Sequence, residues 1–512
     1  LKFLRDELDI RKSRKTEHIG KNQYDVKIDL SNLQEINVGK KSLPILVNRK
    51  NLESIFSNSY LYDKALAIVI GTKPDFYKQA PLLIEAKRQG LPSFIISTGQ
   101  HYDNLLGYGI KEFDLYESII CDLQIRGDLI QKSSDLMLKF GYFGRYLKNR
   151  MHGKGILPIV HGDTLVAGVA TLSWVFGLGQ KVGQNESGLR SMSPVSIVDI
   201  KANRVPSYDT IEKFVTDQLS VKWFLTREEP FPEQIDTWIC SSGTKFFFAP
   251  TKLNKEHLIR EGYPDEDINV VGNSVVDAID LKRKTKIRKS IFESYPQLES
   301  GDWIRMDIHR RENLTNHRFN AIMGGLVDLI QKTRFKIVLV LLNGTISALN
   351  RYNLYTKLLE LEKTYPDKFL ITNLWKEYGN VVEFLDSGKC WAEITDSGSM
   401  QEELLYFRNV CSFTVRFNTD RPETIFDAKG NVLVPPINRY WLPRIVSAVY
   451  EKREDLGFDF RKKKKIYGQP GQVSKKIIRI LKKEFERKES NFFPWLHQRL
   501  HYWQEVEDFD YL

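Results

Sequence analysis

Twice along this chain, apolar runs of strand length alternate with polar turns and helical periods, and the turns carry most of the reactive side chains. The first series opens with the run Ala65–Ile70, then the turn Gly71-Thr72-Lys73-Pro74-Asp75 and a helical period through Ala80, Leu83 and Ala86. Phe94–Ser97, Ile156–Val160, Phe246–Ala249 and Ile268–Val271 continue it. A second series starts at Trp303 and runs through Lys336–Leu341, Phe369–Thr372, Trp391–Thr395 and Cys411–Val415. In an open parallel sheet the carboxyl ends of the strands face the ligand crevice, so reactive residues just after strands require a doubly wound α/β fold. Two such series predict two Rossmann-like domains facing a central cleft. The expected divisions are an N-terminal extension over 1–62, a first domain over 63–275, a second over 276–455, and a segment 456–512 crossing back to the first domain.

The 512 residues exceed one ordinary core, and 42% hydrophobic with 28% charged residues is the balance of a soluble globular protein. The formal charge of +11 raises the question of nucleic acid. Dense basic runs occur only at Lys282–Lys289 and Arg461–Lys465, without the interleaved aromatics of a strand-binding groove, and read as solvated faces and linkers. Nucleic acid is therefore not an expected partner. The four cysteines are far apart with no CxxC pair, so neither a zinc module nor a disulfide framework is signalled, which fits a cytoplasmic setting. The most apolar window, Leu165–Leu178, is shorter than the ~20 residues a membrane helix needs and reads as a buried helix, with no membrane insertion. The first residues lack the apolar core of a signal peptide, and the leading Leu leaves room for a start further upstream.

The stretch Thr395–Glu403 follows an apolar run and opens onto Leu404 and Leu405, as a strand-to-helix turn does. At such a turn the amides of Ser397, Gly398 and Ser399 lack helical partners and, with the helix dipole, can hold a phosphate. Glu402 and Glu403 could then take ribose hydroxyls. A serine-capped helix with acids near its N-terminus reads equally well from this stretch alone. Other strand ends carry Thr98-Gly99-Gln100-His101, His161-Gly162-Asp163-Thr164, Glu186-Ser187-Gly188-Leu189-Arg190, Gly272-Asn273-Ser274-Val275-Val276-Asp277, His309-Arg310-Arg311-Glu312-Asn313 and Arg421-Pro422-Glu423. Asp163 also suits a helix cap, and Glu186 a solvated loop acid. A metal at His161 and Asp163 is not expected, since no further His or Cys lies at ligand spacing. No cofactor is signalled.

In this order, from about Ala65 to Gly471, the motifs resemble the non-hydrolysing UDP-N-acetylglucosamine 2-epimerases, which have the two-domain GT-B architecture. The resemblance implies inversion at C2 of a UDP-linked 2-acetamido sugar: UDP is eliminated to leave a bound glycal, then added back with the opposite configuration. It further implies a homodimer and a place in polysaccharide biosynthesis. An early C1–O break puts positive charge on the sugar and negative charge on UDP, so cations and amides aimed at the diphosphate do most of the work. Lys73, Lys78, Arg310 and Arg421, with Ser397, Gly398 and Ser399, are the candidates there, with His309 as diphosphate contact or proton donor and Glu403 on the ribose. Asp163, Glu186 and Glu233 match the family's acidic positions and are candidates to move the C2 proton.

This sequence departs from the family pattern in several places. Lys73 replaces an Arg, which loses bidentate recognition. Thr237 stands where the family has an Arg, and Leu341-Leu342-Asn343 replaces its His-Pro-Asn. The segment Ser191–Pro230 is longer than the family's and adjoins the expected sugar pocket, where it could alter the sugar accepted or cover the cleft. A hydrolysing 2-epimerase, a GT-B glycosyltransferase using a UDP-sugar donor, and a non-catalytic nucleotide-sugar-binding protein remain alternative uses of the same motifs.

Overall fold

The computed structural model describes residues 32–487 except 40–42, 58–61, 100–109, 111, 151–154, 201–203, 221, 228, 286 and 376. Gln100, His101 and the aromatic stretch over 492–512 lie outside the described residues. The strands, in chain order, are β1 (Gln34–Asn37), β2 (Pro44–Val47), β3 (Lys64–Ile70), β4 (Ser93–Ser97), β5 (Ile119–Asp122), β6 (Gly155–His161), β7 (Val182–Asn185), β8 (Met192–Pro194) and β9 (Trp223–Leu225). They continue with β10 (Thr244–Ala249), β11 (Ile268–Val270), β12 (Trp303–Asp307), β13 (Lys336–Leu341), β14 (Phe369–Asn373), β15 (Cys390–Thr395), β16 (Cys411–Thr414) and β17 (Asn431–Leu433).

Among the described residues the first sheet runs β1-β2-β5-β4-β3-β6-β7-β10-β11, and its strands from β5 onward are parallel. β3 is buried along its whole length, as a parallel strand covered on both faces must be. The second sheet, β14-β13-β12-β15-β16-β17, is parallel throughout. In each sheet the strand order reverses once around the first strand of its parallel series, between β3 and β6 and between β12 and β15. Those reversals are the switch points at which such sheets bind ligands. The turns after β3, β6 and β7 therefore meet the turns after β12, β15 and β16.

Three features were not anticipated as they stand. The described part of the 1–62 extension is not a mere appendage: β1 and β2 form a hairpin whose second strand pairs antiparallel with β5. Its exposure hides it in the sequence, because β1 buries only Ile36 among four residues. The basic runs are not wholly solvated. Lys282 is buried 3.3 Å from Glu112, and Lys463 donates to the carbonyls of Leu404 and Val410.

The third feature is the segment from Ser191 to Pro230, a strap from the first domain that docks on the second. Its helix Tyr208–Asp217 has Ser207 as N-cap and a buried face of Ile211, Phe214 and Val215. That face joins the core built on β12, β13, β15 and β16, with Phe214 edge-on to Trp441 at 5.3 Å. Gln218 binds both the Leu433 amide (2.8 Å) and carbonyl (3.0 Å), occupying the free edge of β17. The hairpin β8–β9 and a reciprocal backbone pair between Met192 and Thr419 (2.8 and 2.9 Å) complete the contact. The C-terminal helix Val473–Phe485 returns to the first domain, where the Lys64 amine reaches the carbonyls of Phe485 and Arg487. Leu165–Leu178 is a helix with Thr164 as N-cap, ended by Gly179 in the left-handed region. No helix among the described residues is long and apolar enough to cross a membrane.

Candidate active site

Side chains from the two switch points interlock. The Glu186 and Glu402 carboxylates face each other across the cleft, and each is bridged by the same two cations. Lys78 Nζ lies 2.5 Å from Glu186 Oε2 and 2.6 Å from Glu402 Oε2. Arg421 donates through Nη2 to Glu186 Oε1 (2.6 Å) and through Nε to Glu402 Oε1 (3.0 Å). A third Arg421 nitrogen pairs with Asp420, whose other oxygen takes Arg416 at 3.1 Å. All of these side chains are buried. Burial raises the Glu186 carboxyl, but Lys78, His161 and Arg421 outweigh it and hold Glu186 well below the usual range. Glu402, pushed up by burial and by Glu186, reaches about 7.

Asp163, at the end of the turn after β6, lies 3.7 Å from Arg421 through Oδ2, an oxygen that accepts no hydrogen bond. Burial, opposed by Arg421 and assisted by Asp420 and Glu233, lifts its carboxyl to about 6. Glu233 begins the helix Glu233–Ser242 and pairs through Oε1 with Arg310 across the cleft, leaving Oε2 without a partner. One turn on, Asp236 is pushed by burial, Glu233 and Asp163 to about 8, so it carries its proton at neutral pH.

On the second domain Asp396 ties two turns together. It accepts from the amides of His309 (3.1 Å) and Arg310 (2.9 Å) and from Asn313 Nδ2 (3.0 Å). The His309 ring, 34% exposed, sits 3.2 Å from the same carboxylate through Nδ1 but forms no hydrogen bond with it. Ser397 occupies the N-cap of the helix Gly398–Glu403 yet makes no capping bond through its side chain, so the serine-cap reading of this turn does not hold. Gly398 is required for packing: a Cβ there would lie 2.7 Å from Arg421 Nη1. Glu403 is held by Ser399 Oγ (2.6 Å) and Tyr378 OH (2.7 Å), facing away from its neighbour Glu402.

Thus Asp163, Glu186, Lys78 and Arg421 form one cluster, with Glu233, Arg310 and His309 beside it and Ser397, Gly398 and Ser399 against Arg421. Lys73 and Glu403 lie to one side. The Lys73 amine, lowered by burial, feels Glu112, Glu403, Arg305 and Asp307 rather than the Arg421 cluster. Glu402 is not placed for a ribose, because its carboxylate is paired with two buried cations, Lys78 and Arg421, whereas Glu403 is held by hydroxyls alone. His161, Asp75, Asp420 and Asp236 were not singled out as site residues; only their buried, charged surroundings reveal them. Thr237 accepts from Arg190 at 3.3 Å, and Arg190 is spent on Glu261 and the face of Trp238. Leu341 is buried at the end of β13.

The sequence profile of UDP-N-acetylglucosamine 2-epimerase matches residues 225–482, which include Glu233, Arg310, Asp396, Glu402 and Arg421. The chain belongs to the UDP-N-acetylglucosamine 2-epimerase family. It is therefore an enzyme of the isomerase class. Among relatives of that name, the Methanocaldococcus jannaschii protein is 27% identical over 427 residues, 81% of this chain and 98% of the relative. The Methanococcus maripaludis protein is 28% identical over 386 residues, 72% of this chain and 87% of the relative. In structure the chain is similar to Neisseria meningitidis UDP-GlcNAc 2-epimerase bound to UDP-GlcNAc, with a TM-score of 0.64 at 23% identity over 82% of this chain and all of the other. The M. jannaschii enzyme with UDP-GlcNAc and UDP gives 0.62 at 24% identity, over 82% of this chain and 99% of that one. These likenesses place this member of the 2-epimerase family in the GT-B fold.

Proposed function

We propose that this protein inverts C2 of UDP-N-acetylglucosamine to give UDP-N-acetylmannosamine, eliminating UDP and adding it back. The observation that carries the reading is the meeting of Asp163 and Glu186 from one switch point with Arg421 and the Ser397–Ser399 turn from the other. Breaking the C1–O bond leaves an anion on UDP and a cation on the sugar. Arg421, the Gly398 and Ser399 amides and His309 serve the anion, with Glu403 on the ribose. Glu186, kept anionic by three cations, serves the sugar cation and is too weak a base to take the C2 proton.

Asp163 is the better base. It has a free oxygen and a carboxyl near 6, so it is mostly ionised at neutral pH yet still basic enough to accept a proton. Inversion needs a second proton carrier on the opposite face, and Glu233, which also keeps a free oxygen, supplies one. Arg310 positions it.

A cytoplasmic homodimer belongs to the same reading, supported by the family resemblance and by four buried, unpaired cysteines. Light scattering coupled to gel filtration tests the dimer. The activity is tested by incubating the protein with UDP-N-acetylglucosamine and resolving the nucleotide sugars. A mixture with UDP-N-acetylmannosamine is expected. Free UDP with released N-acetylmannosamine would replace the reading with the hydrolysing one, and an unchanged substrate would reject both.

A further inference from the structure

His161 bonds Glu186 from the side away from Arg421's domain, and the chemistry above gives it no role of its own beyond its charge. Its ring is buried, with Nδ1 3.0 Å from Asp75 Oδ1 and Nε2 2.7 Å from Glu186 Oε2. An ionised carboxylate only accepts, and a neutral imidazole has a single N–H, so a neutral ring cannot satisfy both neighbours. The arrangement closes when the ring is an imidazolium donating from both nitrogens.

Asp75 is itself fixed. Its Oδ2 accepts from the amides of Gly71 (3.1 Å) and Thr72 (2.8 Å), and its own amide donates to Thr72 Oγ1 (3.3 Å). These bonds form the capping box at the start of the helix Lys73–Arg88 and fix the aim of the Asp75 carboxylate. Glu186, by contrast, emerges from β7 with φ at +63°, a conformation unfavourable for its residue type. The backbone beside it is clamped, since the Ser187 amide donates to the Phe248 carbonyl (3.1 Å) and a Cβ on Gly188 would lie 2.3 Å from the Asn254 carbonyl oxygen. With the backbone set, the aim of the Glu186 carboxylate is decided by the cations around it.

We propose that Asp75 and His161 act as a positioning pair, in which Asp75 holds an imidazolium that keeps Glu186 anionic and turned toward Lys78 and Arg421. The proposal rests on the reading of Glu186 as a carboxylate of the reaction site. The groups facing the ring are Asp75 and Lys78 from the helix Lys73–Arg88 and Glu186 after β7, with Glu402 and Arg421 of the second domain beyond Glu186. Burial and Lys78 oppose the charge on the ring, while Glu186 and Asp75 outweigh them and raise it to about 9. Without that charge one of the three cations that hold Glu186 low is gone, and the contrast in basicity with Asp163 narrows.

The test needs no turnover in its first arm. Histidine-selective 15N labelling gives nine ring systems, and loss of one on His161→Gln assigns this one. In the unliganded protein at pH 7.5 both His161 nitrogens should show imidazolium shifts, titrating near 9. In Asp75→Asn, whose amide oxygen can still cap the helix, the midpoint should fall by at least about one pH unit. In the second arm His161→Gln should lower kcat by roughly 10²-fold, the scale of misplaced reacting groups, with KM little changed. Asp75→Asn should move the alkaline limb of the kcat profile down together with the ring. A neutral His161 ring at pH 7.5, a midpoint indifferent to Asp75→Asn, or an alkaline limb that stays put in a folded Asp75→Asn protein would overturn the proposal. If UDP-N-acetylglucosamine is not turned over at all, the functional reading fails, while the ring titration still decides the pair.

Discussion

Replacing Phe214 with alanine should release the strap from the second domain without unfolding that domain. Ile211, Phe214 and Val215 are buried in a core that otherwise belongs to the second sheet. At about 1.5–3 kcal/mol for each such side chain, the three contribute on the order of 5–9 kcal/mol to docking, before the cost of ordering the strap. A buried Phe to Ala change removes about 3–5 kcal/mol, including the edge-on contact with Trp441 at 5.3 Å. At 1.4 kcal/mol per tenfold, the undocked fraction should rise by roughly two to nearly four orders of magnitude. Hydrogen exchange measured by mass spectrometry reads this directly: peptides covering Tyr208–Asp217 should accelerate far more than those covering β13. Activity should fall too, because the strap runs from Ser191 to Pro230, just before Glu233, and bridges to Thr419, two residues before Arg421. Equal acceleration in the strap helix and β13 would refute the reasoning, since the strap would then open only with the whole domain. No acceleration in either would remove Phe214 from the core.

Other consequences are equally open to test. Asp163→Asn should lower kcat by about 10²–10⁴-fold, the usual worth of a proton-transfer group, while UDP affinity by calorimetry stays within a few-fold of wild type. The kcat profile should rise with pH through about 6, because Asp163 must lose its proton to act as base, and fall again near 9 as His161 loses its charge. Buffered rate measurements from pH 4.5 to 10 would show this bell, and an acid limb that persists unchanged in folded Asp163→Asn would assign it elsewhere. Gly398→Ala should weaken UDP binding, since its Cβ would lie 2.7 Å from Arg421 Nη1 and displace a guanidinium bonded to Glu186 and Glu402. Equal UDP affinity in that variant would show that Arg421 can shift freely.

The parts of the fold legible in the sequence are those whose signal is local. β3, β6 and β13 are near-continuous apolar runs because both faces of a parallel strand are covered, and they lie within a residue of where the runs place them. β1 and β5 escape notice because four residues carry too little period, and β1 is largely exposed. In the strap, the spacing of Ile211, Phe214 and Val215 marks an amphipathic helix, but nothing in the spacing says that its apolar face belongs to the other domain's core. The site divides the same way. Turns after strands announce Asp163, Glu186, His309 and Arg421, because strand ends are where such folds put chemistry. Long-range pairing stays hidden: Glu402 is 324 residues from Lys78, and Asp75 is 86 residues from His161. For that reason the orientation of Glu402 emerges only when the two sheets are set face to face, and the charge on His161 only when the turns after β3, β6 and β7 are brought together.

The central claim is that the C2 proton is removed and returned by groups of this cleft, and deuterium reports it most directly. The protein would be incubated with UDP-N-acetylglucosamine in D2O, with the C2 proton and anomeric signals followed by NMR. The account predicts UDP-N-acetylmannosamine carrying deuterium at C2, with the UDP link intact and the exchange slowed about 10²–10⁴-fold in Asp163→Asn. A manno product that keeps its original proton at C2 would contradict it.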